Sequence, residues 1–264
     1  MKKKYLGLIC LLYAGIILFV NHYNILRNFL APNMHIYIKS SAFILIIIGL
    51  IILYSESFHY KFKFTDLVLI LPLIMLIYAG DGRISTSLAL NRNSNITSIK
   101  SDTVSNEKEE EIIIDESKLD FDNVDFDVDD ETYLDLANYL TTNKKAQKYI
   151  GKTIRVRGFT IEDNSYLPNG YYGIGKYGVS CCVADAGYMG FIMKANGHKI
   201  KGSTWYEVEG YLEKSKDLAG HVFLGITIVN LKEIDEKDEE EYVYPCYQYG
   251  DGSCSKIRNY SLEY

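Results

Sequence analysis

Three apolar runs, at residues 5–20, 41–54 and 67–79, constrain this 264-residue chain more than any other feature. Each is short of the ~20 residues that cross a bilayer core, and flanking Tyr, Phe, Asn and Ser bring each near the lower end of the range. Ile and Leu at this density are hard to keep soluble, so residues 1–80 are expected to form a three-span segment in the lipid bilayer. Positive residues near span ends stay in the cytoplasm. Lys2, Lys3 and Lys4 put the N-terminus inside, and Lys61 and Lys63 put the second connection inside, with Arg27 and Lys39 a mild contrary vote. Three crossings then deliver everything after Ala79 to the outer face. The first run has the basic start and apolar middle of a signal peptide. With no small-residue cleavage site before Asn21-His22-Tyr23, it reads as a retained anchor.

Residues 81–131 read as a polar, then acidic, linker. Ser, Asn and Thr crowd 81–100, and about half of 107–131 is acidic, a block that resists collapse and stays solvated. One folded domain of about 110 residues, at 132–245, follows and is large enough to bury a core. Tyr133, Leu136, Ala137 and Leu140 fall at helical spacing, with Thr132 able to cap the start, and 143–148 reads as a further turn ended by Gly151.

Beyond Gly151 the period becomes two: Thr153, Arg155 and Arg157 alternate with Ile154, Val156 and Gly158. Short strands are expected there and at 171–174, 179–183, 190–194, 205–212 and 222–229, separated by turns such as Pro168-Asn169-Gly170 and Asn196-Gly197. The expected fold is an N-terminal α-helical membrane segment plus an α+β, mainly β, C-terminal domain: an OB-like small barrel preceded by a helix. A tail at 246–264 carries Cys246 and Cys254. A formal net charge of −6 argues against nucleic acid as a partner, because neutralising phosphates needs a basic face.

The chemistry-bearing stretch is Ser180-Cys181-Cys182-Val183-Ala184-Asp185-Ala186, in a chain with only five cysteines. In one reading Cys181, Cys182 and Asp185, with His198 or His221, hold a borderline metal such as zinc, for which thiolate, imidazole and carboxylate are all suitable ligands. In a regular strand the two thiols point to opposite faces, so binding one ion needs a bulge or turn, which Gly178 and Gly187 permit. In a second reading the exported cysteines oxidise: Cys181 or Cys182 pairs with the tail, or Cys246 pairs with Cys254. In a third Cys182 is a small packed residue, and Asp185 can equally accept backbone N–H bonds in the turn. The sequence carries no phosphate loop, nucleophile elbow or spaced zinc-finger pair, so an enzyme is not expected.

Around this stretch stand, in order, Tyr149-Ile150-Gly151-Lys152, Arg157-Gly158-Phe159, Gly173-Ile174-Gly175-Lys176-Tyr177-Gly178-Val179, Gly190-Phe191, Trp205-Tyr206-Glu207-Val208-Glu209-Gly210 and Tyr242-Val243-Tyr244-Pro245. Together with the cysteine motif they resemble the YcgQ-like predicted permease subunits of Gram-positive bacteria. The resemblance covers roughly residues 130–245. It implies a membrane segment joined to a Cys-Cys-x-Ala-Asp-Ala domain in a bacterial plasma membrane, and an integral-membrane permease as partner. Where that family usually has Arg shortly before the cysteines, this chain has Lys176. The expected function is a non-catalytic accessory subunit whose exported domain binds a metal ion or small solute. The alternatives are an extracytoplasmic thiol-disulfide component or a structural assembly module.

Overall fold

The computed structural model describes residues 5–23, 25–55, 119–161, 167–216, 218, 222–236, 239–250 and 252–260. The third apolar run at 67–79, the linker as far as 118, and His221 lie outside the described residues. The chain divides into two units, and Cys181–Ala184 groups with the N-terminal one.

The N-terminal unit contains helices α1 (Tyr5–His22) and α2 (His35–Tyr54), joined through short 3-10 turns. Both are apolar all round, and with its leading turn the second runs from Pro32 to Tyr54; each is long and apolar enough to cross a membrane. Their mutual contact rests on small residues. A Cβ built at Gly7 lies 2.8 Å from the Gly49 carbonyl oxygen, the close backbone approach that helices use where water supplies no hydrophobic drive. Leu8, Phe19, Ile36, Phe43, Ile47 and Ile51 remain exposed on the hairpin. In the same unit the Ala31 N–H donates to the Cys181 carbonyl at 3.0 Å and the Val183 N–H donates to the Phe29 carbonyl at 3.0 Å, flanking an antiparallel bridge between Leu30 and Cys182.

The second unit is built from β1 (Phe126–Asp127), α3 (Tyr133–Thr142), β2 (Thr153–Thr160), β3 (Tyr171–Gly178), β4 (Gly187–Lys194), β5 (Trp205–Lys216), β6 (Val222–Glu233), β7 (Tyr242–Val243) and α4 (Ser253–Asn259). Neighbouring strands run β2-β5-β6-β4-β3, and an extra pairing of β3 with β2 closes the ring. Four of the five contacts are antiparallel and β4–β6 is parallel. This is the five-stranded Greek-key barrel of the OB-like class, preceded by a helix as expected. Two-residue strands β1 and β7 add in parallel to β2 and β3.

The alternation read from the sequence is the inside and outside of this barrel. Ile154 and Val156 are fully buried, while Arg155 faces Glu209 and Arg157 faces Glu207 directly across the β2–β5 ladder, with ion pairs of 2.8 and 2.6 Å. Strands cross closely at Gly175 and Gly190, which lie opposite each other; a Cβ on Gly190 would overlap the Ile174 carbonyl. Helix α3 buries Tyr133, Leu136, Ala137 and Leu140 in the same core as Phe191, Met193 and Ile226. Each fully buried leucine contributes roughly 1.5–3 kcal/mol of apolar burial.

Three local expectations differ from the structure. The start of α3 has no side-chain cap from Thr132; Asp129 instead accepts from the Thr132 N–H at 3.0 Å and its hydroxyl at 2.7 Å. Residues 179–183 are not a strand: β3 runs on to Gly178, the chain turns, and a 3-10 turn covers Val183–Asp185. Finally, the acidic stretch expected as a pure tether sends Phe126 and Val128 into the core, and the tail adds Cys246 and Ile257 to the buried set. Phe126 stacks on Tyr260 and meets Tyr149 edge-on, each at 5.2 Å.

Candidate functional site

The turn between β3 and β4 brings the cysteines together. Because Cys181 and Cys182 lie in an irregular segment and not in a pleated strand, their side chains converge, and the two sulfurs stand 3.7 Å apart. Two thiolates bound tetrahedrally to one zinc at ~2.3 Å stand about 3.8 Å apart, so the pair already has the bite of a single ion. Neither is disulfide-bonded. The 3-10 turn folds Asp185 back onto them, and one donor atom from each of Cys181, Cys182 and Asp185 lies within 4.8 Å of the others. Cys181 and Asp185 are exposed and Cys182 is half-buried, so the group is open to solvent. Asp185 also serves the turn: its Oδ1 accepts the Ser180 N–H at 3.2 Å. A carboxylate has a second oxygen, so this bond is compatible with ligation.

The donor set fits zinc in type, with two soft thiolates and a carboxylate. Three protein donors and an accessible face match the pattern of sites that keep a position open, in contrast with closed four-ligand structural sites. Of the two expected histidines, His221 lies outside the described residues and His198 does not join the group. His198 lies beyond the far end of β4, whose eight residues span roughly 25 Å, while Asp185 lies before its start. It is therefore not part of the group, and the His198 N–H closes a local turn on the Ala195 carbonyl at 2.9 Å.

The tail cysteines take the second of the two chemistries. Cys246 and Cys254 form a disulfide, with Cα atoms 5.0 Å apart. That bridge encloses Gln248, which sequence reasoning missed. Gln248 is buried, and its Nε2 donates to the Ser180 carbonyl at 2.6 Å, one residue before the thiol pair. The start of the loop is fixed by Asp135 on α3, whose Oδ2 accepts the Cys246 N–H at 2.8 Å. Burial pushes the Asp135 carboxyl above its usual range, and this hydrogen bond opposes the rise. The available signal was a glutamine two positions after a cysteine, which is too short to distinguish from ordinary tail sequence.

Lys176 serves neither the thiols nor an external anion. Only 1% exposed, its ammonium is held by Asp130 at 2.7 Å and Glu239 at 3.1 Å, over the Trp205 and Tyr133 rings at 5.4 and 5.8 Å. Burial first, and then the Asp130 and Glu239 charges, push the Tyr133 hydroxyl well above its ordinary value, so it stays neutral.

A family model described as DUF1980 C-terminal domain matches residues 103–245, more than half of the chain, and spans the barrel, the cysteine turn and Lys176. No curated protein and no solved structure matches the chain.

Proposed function

Because the chain belongs to the DUF1980 C-terminal domain family, which is associated with predicted permease-linked proteins, we propose that it is a non-catalytic, membrane-anchored accessory subunit of a permease. Its barrel captures a borderline divalent cation, zinc being the best match, and presents it to the partner. The observation that carries this reading is the convergence of Cys181, Cys182 and Asp185 on one solvent-facing turn, with the two sulfurs 3.7 Å apart and the three donor atoms within 4.8 Å of one another. With three donors, such a site has room for one more, from water or from the partner, and an ion held this way is exchangeable. The acidic balance of the chain favours cations near the site and disfavours nucleic acid.

One observation supports an outward-facing domain: a disulfide between Cys246 and Cys254 is at home in an oxidising compartment.

The test is zinc stoichiometry of the full chain in detergent, purified anaerobically, for wild type and for Cys181→Ser/Cys182→Ser. One zinc per chain in wild type and near none in the variant is expected. Equal, sub-stoichiometric zinc in both would remove the metal reading. Thiol-disulfide exchange is the alternative, favoured by the exposed Cys181 beside Cys182. It predicts mixed disulfides trapped on a Cys182→Ser variant.

A further inference from the structure

Ser180 is held from both ends. Its N–H is taken by the Asp185 carboxylate at 3.2 Å, and its carbonyl by the Gln248 amide at 2.6 Å. The next peptide bond leads into Cys181, so these two contacts fix the direction in which the chain enters the thiol pair. Of the two, only the Gln248 contact comes from outside the turn, 68 residues along the chain.

Gln248 is well placed to act as a clamp. It ends the 3-10 turn Cys246–Gln248, and its own N–H is bound to the Pro245 carbonyl at 2.9 Å. The Cys246–Cys254 bridge closes the loop around it, and Asp135 fixes the near end of that loop. The side chain is 5% exposed, and its Oε1 is buried with no hydrogen-bond partner among the described residues. Leaving a buried acceptor unsatisfied is unfavourable. Among the described residues, the hydrogen bond of this side-chain amide is the one its Nε2 donates to Ser180.

We propose that Gln248, braced by the Cys246–Cys254 bridge, is the positioning residue of the Cys181/Cys182/Asp185 group. It pre-sets the thiol turn in the geometry that accepts an ion. This inference rests on the metal reading above for its purpose, but not for its physical content. A disulfide-closed loop that orders ligands before the ion arrives removes part of the ordering entropy from the binding step.

The test compares wild type with Gln248→Glu and Gln248→Ala in the full chain, kept anaerobic so that the tail bridge and the motif thiols retain their states. Gln248→Glu keeps the shape but replaces the donor by an acceptor facing a carbonyl. The first readout is amide hydrogen exchange over residues 181–183. About a tenfold acceleration is expected in both variants, the size of one net hydrogen bond, with exchange in the β5–β6 ladder unchanged. The second readout is Co2+ titration followed by the thiolate-to-cobalt absorption band. About a tenfold weaker affinity and a changed band are expected, and the same direction is expected for Cys246→Ser/Cys254→Ser. Exchange within twofold of wild type in Gln248→Glu overturns the positioning role. Faster exchange in the variant, combined with no cobalt band in wild type, keeps the clamp and overturns the metal reading alone.

Discussion

Replacing Lys176 by methionine keeps the length and apolar stem of the side chain but removes the ammonium that Asp130 and Glu239 share. Deleting one partner of a buried ion pair costs about 3–5 kcal/mol, because the remaining charge stays desolvated. Here the stranded carboxylates are 32% and 17% exposed, so water reaches them in part, and Arg157 lies 3.9 Å from Glu239 and can take up some of its charge. The lower end of the range applies, about 3 kcal/mol. For a domain of this size that corresponds to a fall of roughly 10 °C in melting temperature. The assay is internal: Trp205, the only tryptophan in the chain, lies under the Lys176 ammonium, so its emission during urea unfolding reports on this corner of the barrel. Adding Glu239→Gln to Lys176→Met removes one stranded charge and is expected to recover part of the loss. A Lys176→Met protein within about 0.5 kcal/mol of wild type would refute the claim that this ion cluster ties the acidic flanks to the barrel.

Acid should loosen the same domain. Burial pushes the Asp129, Asp125 and Glu209 carboxyls up, but hydrogen bonds win and hold each below its ordinary value: from Thr132 and Lys256, from Lys152 and Thr153, and from Asn230 and Arg155 respectively. A depressed folded-state value gives stability that is fully present above the usual carboxylate range, around pH 4, and is lost as pH falls through the folded value. Asp135, raised by burial, contributes with the opposite sign and offsets a fraction. The urea midpoint should therefore be flat near neutrality and fall below about pH 4; a midpoint that rose on acidification would contradict the ion-pair assignments. A phosphatase reporter fused behind Tyr264 should be active only when the domain is exported, and activity of a cytosol-only reporter at that position would overturn the outward orientation.

The barrel was legible in the sequence because its signals are local. The 3.6 period of Tyr133, Leu136, Ala137 and Leu140 and the two-residue alternation from Thr153 to Gly158 each record which face is buried. The thiol turn was legible only as alternatives. Val179 and Val183 look like strand residues, and what ends β3 at Gly178 is the return into β4. The acidic stretch ahead of the barrel misled for a related reason. Its local charge density says solvent, but Asp130 meets Lys176, 46 residues away, a lysine that also holds Glu239, 63 residues further on, and no short window of sequence contains both ends of such a pair. Gln248 escaped notice in the same way, since its partner Ser180 is 68 residues distant.

The ring of strands closes on itself, and its two appended strands are only two residues long. A sheet of this kind presents almost no unsatisfied ladder onto which a neighbour can zip. If α1 and α2 anchor many copies side by side, the domains would meet at high local concentration, where an open edge would invite chain-to-chain stacking. A closed ring resists that outcome, and any partner would have to recognise the domain through loops and side chains, not by lending or borrowing a strand.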